Sequence, residues 1–169
     1  KVDDFIQSYT NSKIIKNGDL PDNWKCLELG SVISLEYGKP LPKEDRDSMG
    51  SYPAYGANGE KTRTNKFYHS KPTIIVGRKG SAGELNLTEE KFWPLDVTYF
   101  VTFEDHLYHM KYIYYVLQTL NLKSLAQGVK PGINRNHVYA LKSNFPPLEE
   151  QINIAEKLDS MFEKRHQLQ

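Results

Sequence analysis

Two rhythms of apolar and polar positions divide the chain. Up to Asp105 the apolar residues fall in short clusters punctuated by Gly and Pro. WKCLELGSVISLEYGKPLP holds two apolar runs, broken at Gly30 and closed at Gly38; SYPAYGANGEKTRT is rich in turn formers; KPTIIVGRKG and VTYFVTF are β-branched and aromatic. Such segments predict short strands joined by long loops, and the Asn58-Gly59 pair is a hairpin signal in its own right. From His109 onward the spacing changes. HMKYIYYVLQTLNLKSL puts Ile113, Val116, Leu117 and Leu120 at helical intervals, with Gly128 and Pro131 closing the segment. The prolines of NFPPLEEQ disfavour helix before Leu148, so NFPPL predicts a helix-entry turn. Beyond it Ile154, Leu158, Met161 and Leu168 follow at spacings of four, three and seven, an apolar seam along a terminal helix. The fold class predicted is α/β, a small twisted mixed sheet with long loops and packed helices, followed by a C-terminal helix.

With 169 residues, 38% hydrophobic and 12% aromatic, the chain suffices for one well-buried core and predicts a single soluble domain with an appended helix. No apolar run approaches the ~20 residues of a membrane span, and KVDDFIQSYT lacks the apolar stretch of a signal peptide, so a cytoplasmic location is expected. The single Cys26 rules out an internal disulfide framework and leaves zinc short of thiolates; beside Trp24 and Leu27 it reads as a core thiol. Formal net charge is only +1, but its distribution is uneven. Lys61 to Gly83 carries six basic residues and no acid, and His106 to Leu148 carries five and no acid. Acids gather at Glu44, Asp45 and Asp47 and between Glu84 and Asp105. A near-neutral total therefore permits one strongly positive surface, although charge alone fits a solvated face equally well.

Catalytic patterns fail on spacing. GRKGSAG is no phosphate cradle, since no second Gly is followed by Lys and then Ser or Thr, and it is no dinucleotide fingerprint. NFPPL departs from the Asn-Pro-Pro-aromatic motif of adenine methyltransferases by the inserted Phe145 and by Leu148 in place of the aromatic that stacks on a flipped base. His106 and His109, even on one helix face with Asp105, lack a third metal ligand; Glu89 and Glu90 lack the acidic partner of a metal-dependent nuclease; Ser81 lacks the Gly-x-Ser-x-Gly elbow. No catalytic residue, metal or cofactor is expected.

Four loops carry the positive signal. EYGKPLPK offers Tyr37 and Lys39; YPAYGANGEKTRTNK offers Tyr55, Asn58, Lys61 and Arg63; GRKGSAG offers Arg78, Lys79 and Ser81; GVKPGINRNH offers Lys130, Asn134 and Arg135. They mix permissive backbone with phosphate-binding cations and with side chains that reach base edges, a combination suited to DNA. Taken singly, each is also an ordinary turn. In the third loop Gly77, Gly80 and Gly83 would let the backbone approach a duplex closely, while the buried run Ile74, Ile75 and Val76 aims Arg78 and Lys79.

In order along the chain, LPDNWKCLELGSVISLEYGKPLP, YPAYGANG, TIIVGRKGSAG, FWPLDVTYFV and GVKPGINRNHVYALKSNFPPLEEQINIAEKLDSMF resemble the target-recognition domain of a type I restriction-modification specificity subunit, from Leu20 to Phe162. The resemblance implies a non-catalytic module that reads one half of a bipartite target in double-stranded DNA. It also implies docking of methyltransferase subunits and, through them, of the restriction motor subunit. Residues 20–147 would form the recognition domain and 148–169 the start of a spacer helix, whose Ile154, Leu158, Met161 and Leu168 face a second spacer helix. A complete subunit of this family usually has two such domains separated by long spacer helices. This chain is accordingly expected to be half of a longer subunit or a half-subunit that dimerises, with residues 1–19 an extension or the end of a preceding helix. A different class of function, a protein-interaction scaffold without direct DNA contact, is the alternative.

Overall fold

The computed structural model describes residues 1–169. In chain order its elements are α1 (Val2–Lys13), β1 (Lys25–Glu28), β2 (Ile33–Tyr37), β3 (Tyr52–Gly56), β4 (Gly59–Thr64), β5 (Ile74–Gly77), β6 (Leu85–Leu87), β7 (Trp93–Pro94), β8 (Thr98–Phe103), α2 (Met110–Thr119), α3 (Arg135–Tyr139), β9 (Lys142–Phe145) and α4 (Leu148–Gln167). The mixed α/β architecture is present, its strands shared among three small sheets.

The central sheet has the order β2-β8-β5-β6, all antiparallel. Every residue of β5 is buried because both faces of the strand are covered. Ile74 and Val76 join the main core with Ile113 and Val116 of α2, whereas Ile75 turns to the other face and packs with Tyr55, Phe92 and Phe100. Alternation of side chains on a strand with two dry faces produces the unbroken Ile-Ile-Val run. The second face is roofed by the β3-β4 hairpin and by β7, which pairs parallel to β3. The hairpin closes from Gly56 to Gly59 at the predicted Asn58-Gly59 turn, with Gly59 at φ +122°.

β1 and β9 pair across most of the sequence. Buried Asn144 in β9 donates through Nδ2 to the Ile14 and Lys16 carbonyls at 3.2 and 2.9 Å, so the end of α1 is pinned to this pair. Gln151 of α4 makes a second buried staple. Its Nε2 donates to the carbonyls of Leu107 (3.1 Å) and Pro146 (2.9 Å), and its Oε1 accepts from the backbone N–H of His109 (3.0 Å), the residue that caps α2. A fully partnered amide of this kind fixes how α4 meets α2 without the cost of an unsatisfied polar group. The ends of α4 suit its dipole, with Glu149 and Glu150 in the first turn and Lys164, Arg165 and His166 in the last.

Several sequence expectations are revised here. α2 stops at Thr119, because Asn121 takes a left-handed conformation (φ 48°); Gly128 and Pro131 shape a later loop instead of closing the helix. Within NFPPL, Asn144 and Phe145 belong to strand β9, and only the two prolines form the helix entry. His106 lies in a turn and His109 caps α2, so they share no helix face. Cys26 is exposed: in β1 its neighbour Leu27 packs toward the core, and strand alternation turns the thiol outward. The apolar seam of α4 is divided. Ile154 and Leu158 are 2% and 1% exposed and sit in the domain's own core beside Ile6 and Ile14, so neither is available to a partner helix. Met161 is half-buried, and Leu168 is 75% exposed.

This division is testable by truncation. Leu158→Ala should lower unfolding stability by about 2–5 kcal/mol through the cavity it opens, while Leu168→Ala should stay within ~0.5 kcal/mol. Denaturant midpoints for the two variants provide the check, and equal losses would contradict the division.

Candidate nucleic-acid interface

The register of the central sheet assembles the site. Tyr37, the last residue of β2, pairs with Tyr99 of β8, and Thr98 pairs with Gly77, the last residue of β5. The chain thus leaves β2 and β5 on either side of β8 at one sheet end, and GRKGSAG starts there. The loop from Gln127 to Asn134 is laid along it. The Gly80 N–H donates to the Pro131 carbonyl (2.9 Å), the Ile133 N–H donates to the Arg78 carbonyl (3.0 Å), and Lys79 bridges Gly132. Tyr99 supports this loop from beneath by donating its hydroxyl to the Ile133 carbonyl at 2.8 Å. Burial, with Tyr37 beside it, pushes the Tyr99 phenol above its ordinary pKa, so it remains a neutral donor. Asn134 then caps α3 by accepting the Asn136 N–H at 2.9 Å, which places Arg135 at the first helical position.

The result is a cleft of about 440 Å³ lined by Tyr37, Arg78, Lys79, Tyr99, Asn134, Arg135 and their neighbours. Both arginines are anchored by backbone carbonyls. Arg78 donates to the Asp96 carbonyl through Nε (3.1 Å) and Nη2, and Arg135 donates through Nη1 to the Leu35 carbonyl (2.9 Å). The ring of Tyr37 lies between them in the contact network, 4.5 Å from the Arg135 guanidinium and 5.4 Å from that of Arg78. These contacts hold planar cations over an aromatic face while leaving each with free donors.

Five of the candidates from the sequence therefore line one cleft: Tyr37, Arg78, Lys79, Asn134 and Arg135. Lys130 is exposed near the tip of the loop against which Gly80 rests, and Ser81 is half-buried in the GRKGSAG turn. Asn58 is exposed on the hairpin tip, whose Ala57 carbonyl lies beside Gly77. Lys39 is exposed, its ammonium 5.0 Å from the Tyr68 ring, and Lys61 is exposed on β4. Two candidates are claimed by the fold. Tyr55 is 7% exposed, packs on Phe92, and accepts the Glu89 N–H at 3.0 Å. Arg63 braces the hairpin through Glu60 (2.7 Å) and the Gly50 and Ser51 carbonyls.

The two basic stretches meet at the cleft only in part, through Arg78, Lys79 and Arg135. Lys66, Lys71, Lys111 and Lys123 pair with Asp45, Asp105, Asp159 and Glu84 elsewhere on the molecule. None of the chain's ion pairs uses Arg78, Lys79, Lys130 or Arg135. The glycines also part company. A Cβ on Gly77 would fall 2.0 Å from the Ser81 carbonyl oxygen, and one on Gly83 would fall 2.6 Å from the Lys123 nitrogen, so both serve internal packing; only Gly80 (φ +78°) opens onto free space. Sequence reasoning missed Tyr99, Asn136 and the carbonyls of Leu35 and Asp96. Tyr99 appeared only as one aromatic in a strand, and its pairing with Tyr37 spans segments far apart in sequence.

Relatives and neighbours agree with this architecture. The type I restriction modification DNA specificity domain family matches residues 21–169, and the chain belongs to that family. It is 28% identical over 149 residues to the type I restriction enzyme EcoDI specificity subunit of Escherichia coli, covering 86% of this chain and 32% of that protein. It is 33% identical over 110 residues to a putative type I specificity subunit of Mycoplasma pneumoniae, covering 63% of this chain and 29% of that one. The crystal structure of a type I restriction-modification S subunit from M. genitalium superposes with a TM-score of 0.74 at 27% identity, over 88% of this chain and 41% of the other. The HsdS subunit of Thermoanaerobacter tengcongensis shares the fold at a TM-score of 0.74 and 17% identity, over 96% and 44% of the two chains. The chain spans about a third of the length of the curated relatives it matches.

The contrast between glycines gives a direct check on the loop's construction. Gly77→Ala should cost about 1–3 kcal/mol by overpacking against Ser81, whereas Gly80→Ala should cost only the ~1 kcal/mol of a left-handed backbone in open space. Thermal melts of the two variants compare them, and a Gly77→Ala protein as stable as Gly80→Ala would contradict the packing role.

Proposed function

We propose that the chain is the sequence-specific DNA-recognition module of a type I restriction-modification system, reading one half of a bipartite target in double-stranded DNA. The observation that carries this reading is the cleft at the sheet end, where loops remote in sequence bring Arg78, Lys79 and Arg135 together with no acid paired to any of them. Rigid strands aim the loops, backbone carbonyls orient the arginines, and the exposed lysines supply point charge for the phosphate backbone. Family membership supports the same role. The module supplies an address and performs no chemistry, in the cytoplasm and without a cofactor.

Partner docking uses a separate surface, which shares no residue with the cleft. Met161 of α4 and Leu168, which caps its end, line an apolar groove with Val2 and Phe5 of α1, and Phe5 is 70% exposed. This groove receives a second spacer helix, in the same polypeptide or in a second half-subunit. Methyltransferase subunits assemble on the helical region and in turn bring the restriction motor subunit.

Duplex binding should therefore fall steeply with salt, because each neutralised phosphate releases a counterion. Replacing Lys79 and Lys130 together with Ala should flatten the plot of log affinity against log salt by about two units, one per lost phosphate contact. Fluorescence titrations across a salt series measure both. Duplex binding that is absent, or indifferent to salt, would favour the protein-interaction scaffold.

A further inference from the structure

We propose that Arg78 and Arg135 are the base-reading side chains of this domain, that the half-site they select contains guanine read from the major groove, and that Tyr37 is the positioning residue that sets the two forks. This deepens the DNA-recognition reading and rests on it.

The donors left over in the cleft carry the inference. Arg78 commits Nε and one Nη2 hydrogen to the Asp96 carbonyl, which leaves the Nη1/Nη2 end of its fork free. Arg135 commits Nη1 to the Leu35 carbonyl, which leaves the Nε/Nη2 side free. Asn134 has its carbonyl oxygen engaged in capping α3, so its amide group remains as a donor. Lys79 donates only. Apart from Asn136, the Tyr37 hydroxyl and the remaining lone pair of Asn134 Oδ1, the free hydrogen-bonding capacity of Arg78, Lys79, Asn134 and Arg135 is in donors. The complement of paired parallel donors is a pair of acceptors. In the major groove only guanine presents two, O6 and N7; adenine pairs an acceptor with a donor, cytosine offers a donor, and thymine offers one acceptor beside a methyl group.

Anchoring separates these arginines from the lysines. A phosphate contact needs charge and reach, and Lys79 and Lys130 provide both, exposed and free of internal ion pairs. A base edge needs register. The carbonyl of Leu35, inside β2, and that of Asp96, just ahead of β8, are fixed by the central sheet, and both guanidiniums rest within 5.4 Å of the Tyr37 ring centre. Tyr37 is 49% exposed, so its ring is not needed to fill the core.

The test is selection of duplexes from a randomised pool by this chain, followed by titration of the enriched duplex carrying 7-deazaguanine, which lacks the N7 acceptor, at each enriched guanine. The enriched duplexes should share at least one guanine, and 7-deazaguanine there should weaken binding by about tenfold. Arg78→Lys and Arg135→Lys keep the charge and should keep the salt slope while losing the guanine preference. Tyr37→Phe should select the same motif, whereas Tyr37→Leu should blur the guanine positions with an unchanged salt slope. Salt-dependent duplex binding with no enriched guanine, indifference to 7-deazaguanine, or arginine-to-lysine variants that select the original motif would overturn this inference and leave the DNA-recognition reading in place. No duplex binding at all would remove both.

Discussion

The pairing of β8 with β2 on one side and β5 on the other is the constraint on which the rest of the molecule depends. It sets Tyr37 opposite Tyr99 and Thr98 opposite Gly77, so two loops that leave the sheet more than a strand apart in sequence emerge together. The same register decides which side chains are inside. Tyr99 and Val101 enter the main core while Phe100 packs on the second face with Ile75. A slip of one residue would exchange these sets and bring the wrong residues to the sheet end. Core packing and site geometry are therefore two consequences of one hydrogen-bonded alignment.

Electrostatics follow from the same placement. Several basic residues away from the sheet end meet acids: Lys71 meets Asp105 at 2.9 Å, and Lys111 meets Asp159 at 3.1 Å. At the sheet end the nearest anchors are backbone carbonyls, which orient a guanidinium without neutralising it. Exposed pairs of the first kind contribute little stability. Arg78, Lys79, Lys130 and Arg135 keep their charge unpaired where the loops converge, in a chain whose formal charge is only +1.

Much of this was legible in the sequence, and the illegible part has a common physical cause. β5 was readable because a strand with two buried faces must be apolar throughout, and α4 because its apolar spacing is helical and its first turn follows two prolines. What Ile154 and Leu158 touch was not readable, since an apolar stripe looks the same whether a core or a partner helix covers it. Gly77 and Gly80 are identical in sequence, yet one avoids a clash with the Ser81 carbonyl and the other faces open space. Tyr55 and Tyr37 both sit in Gly-rich, turn-like segments, and only the packing of Phe92 against one and of Arg135 against the other assigns them to core and cleft. In each case the deciding neighbour lies far along the chain.

The central claim is that three loops, remote in sequence, form one DNA surface at the end of the central sheet. Backbone amide chemical shifts recorded by NMR during titration with a duplex selected from a random pool test it most directly. The shifts should move together at Tyr37 to Lys39, at Arg78 to Gly80 and at Gly132 to Asn136, while the outer faces of α1 and α4 stay unchanged. Perturbations confined to the groove between α1 and α4, or to one of the three loops with the other two silent, would contradict a single surface.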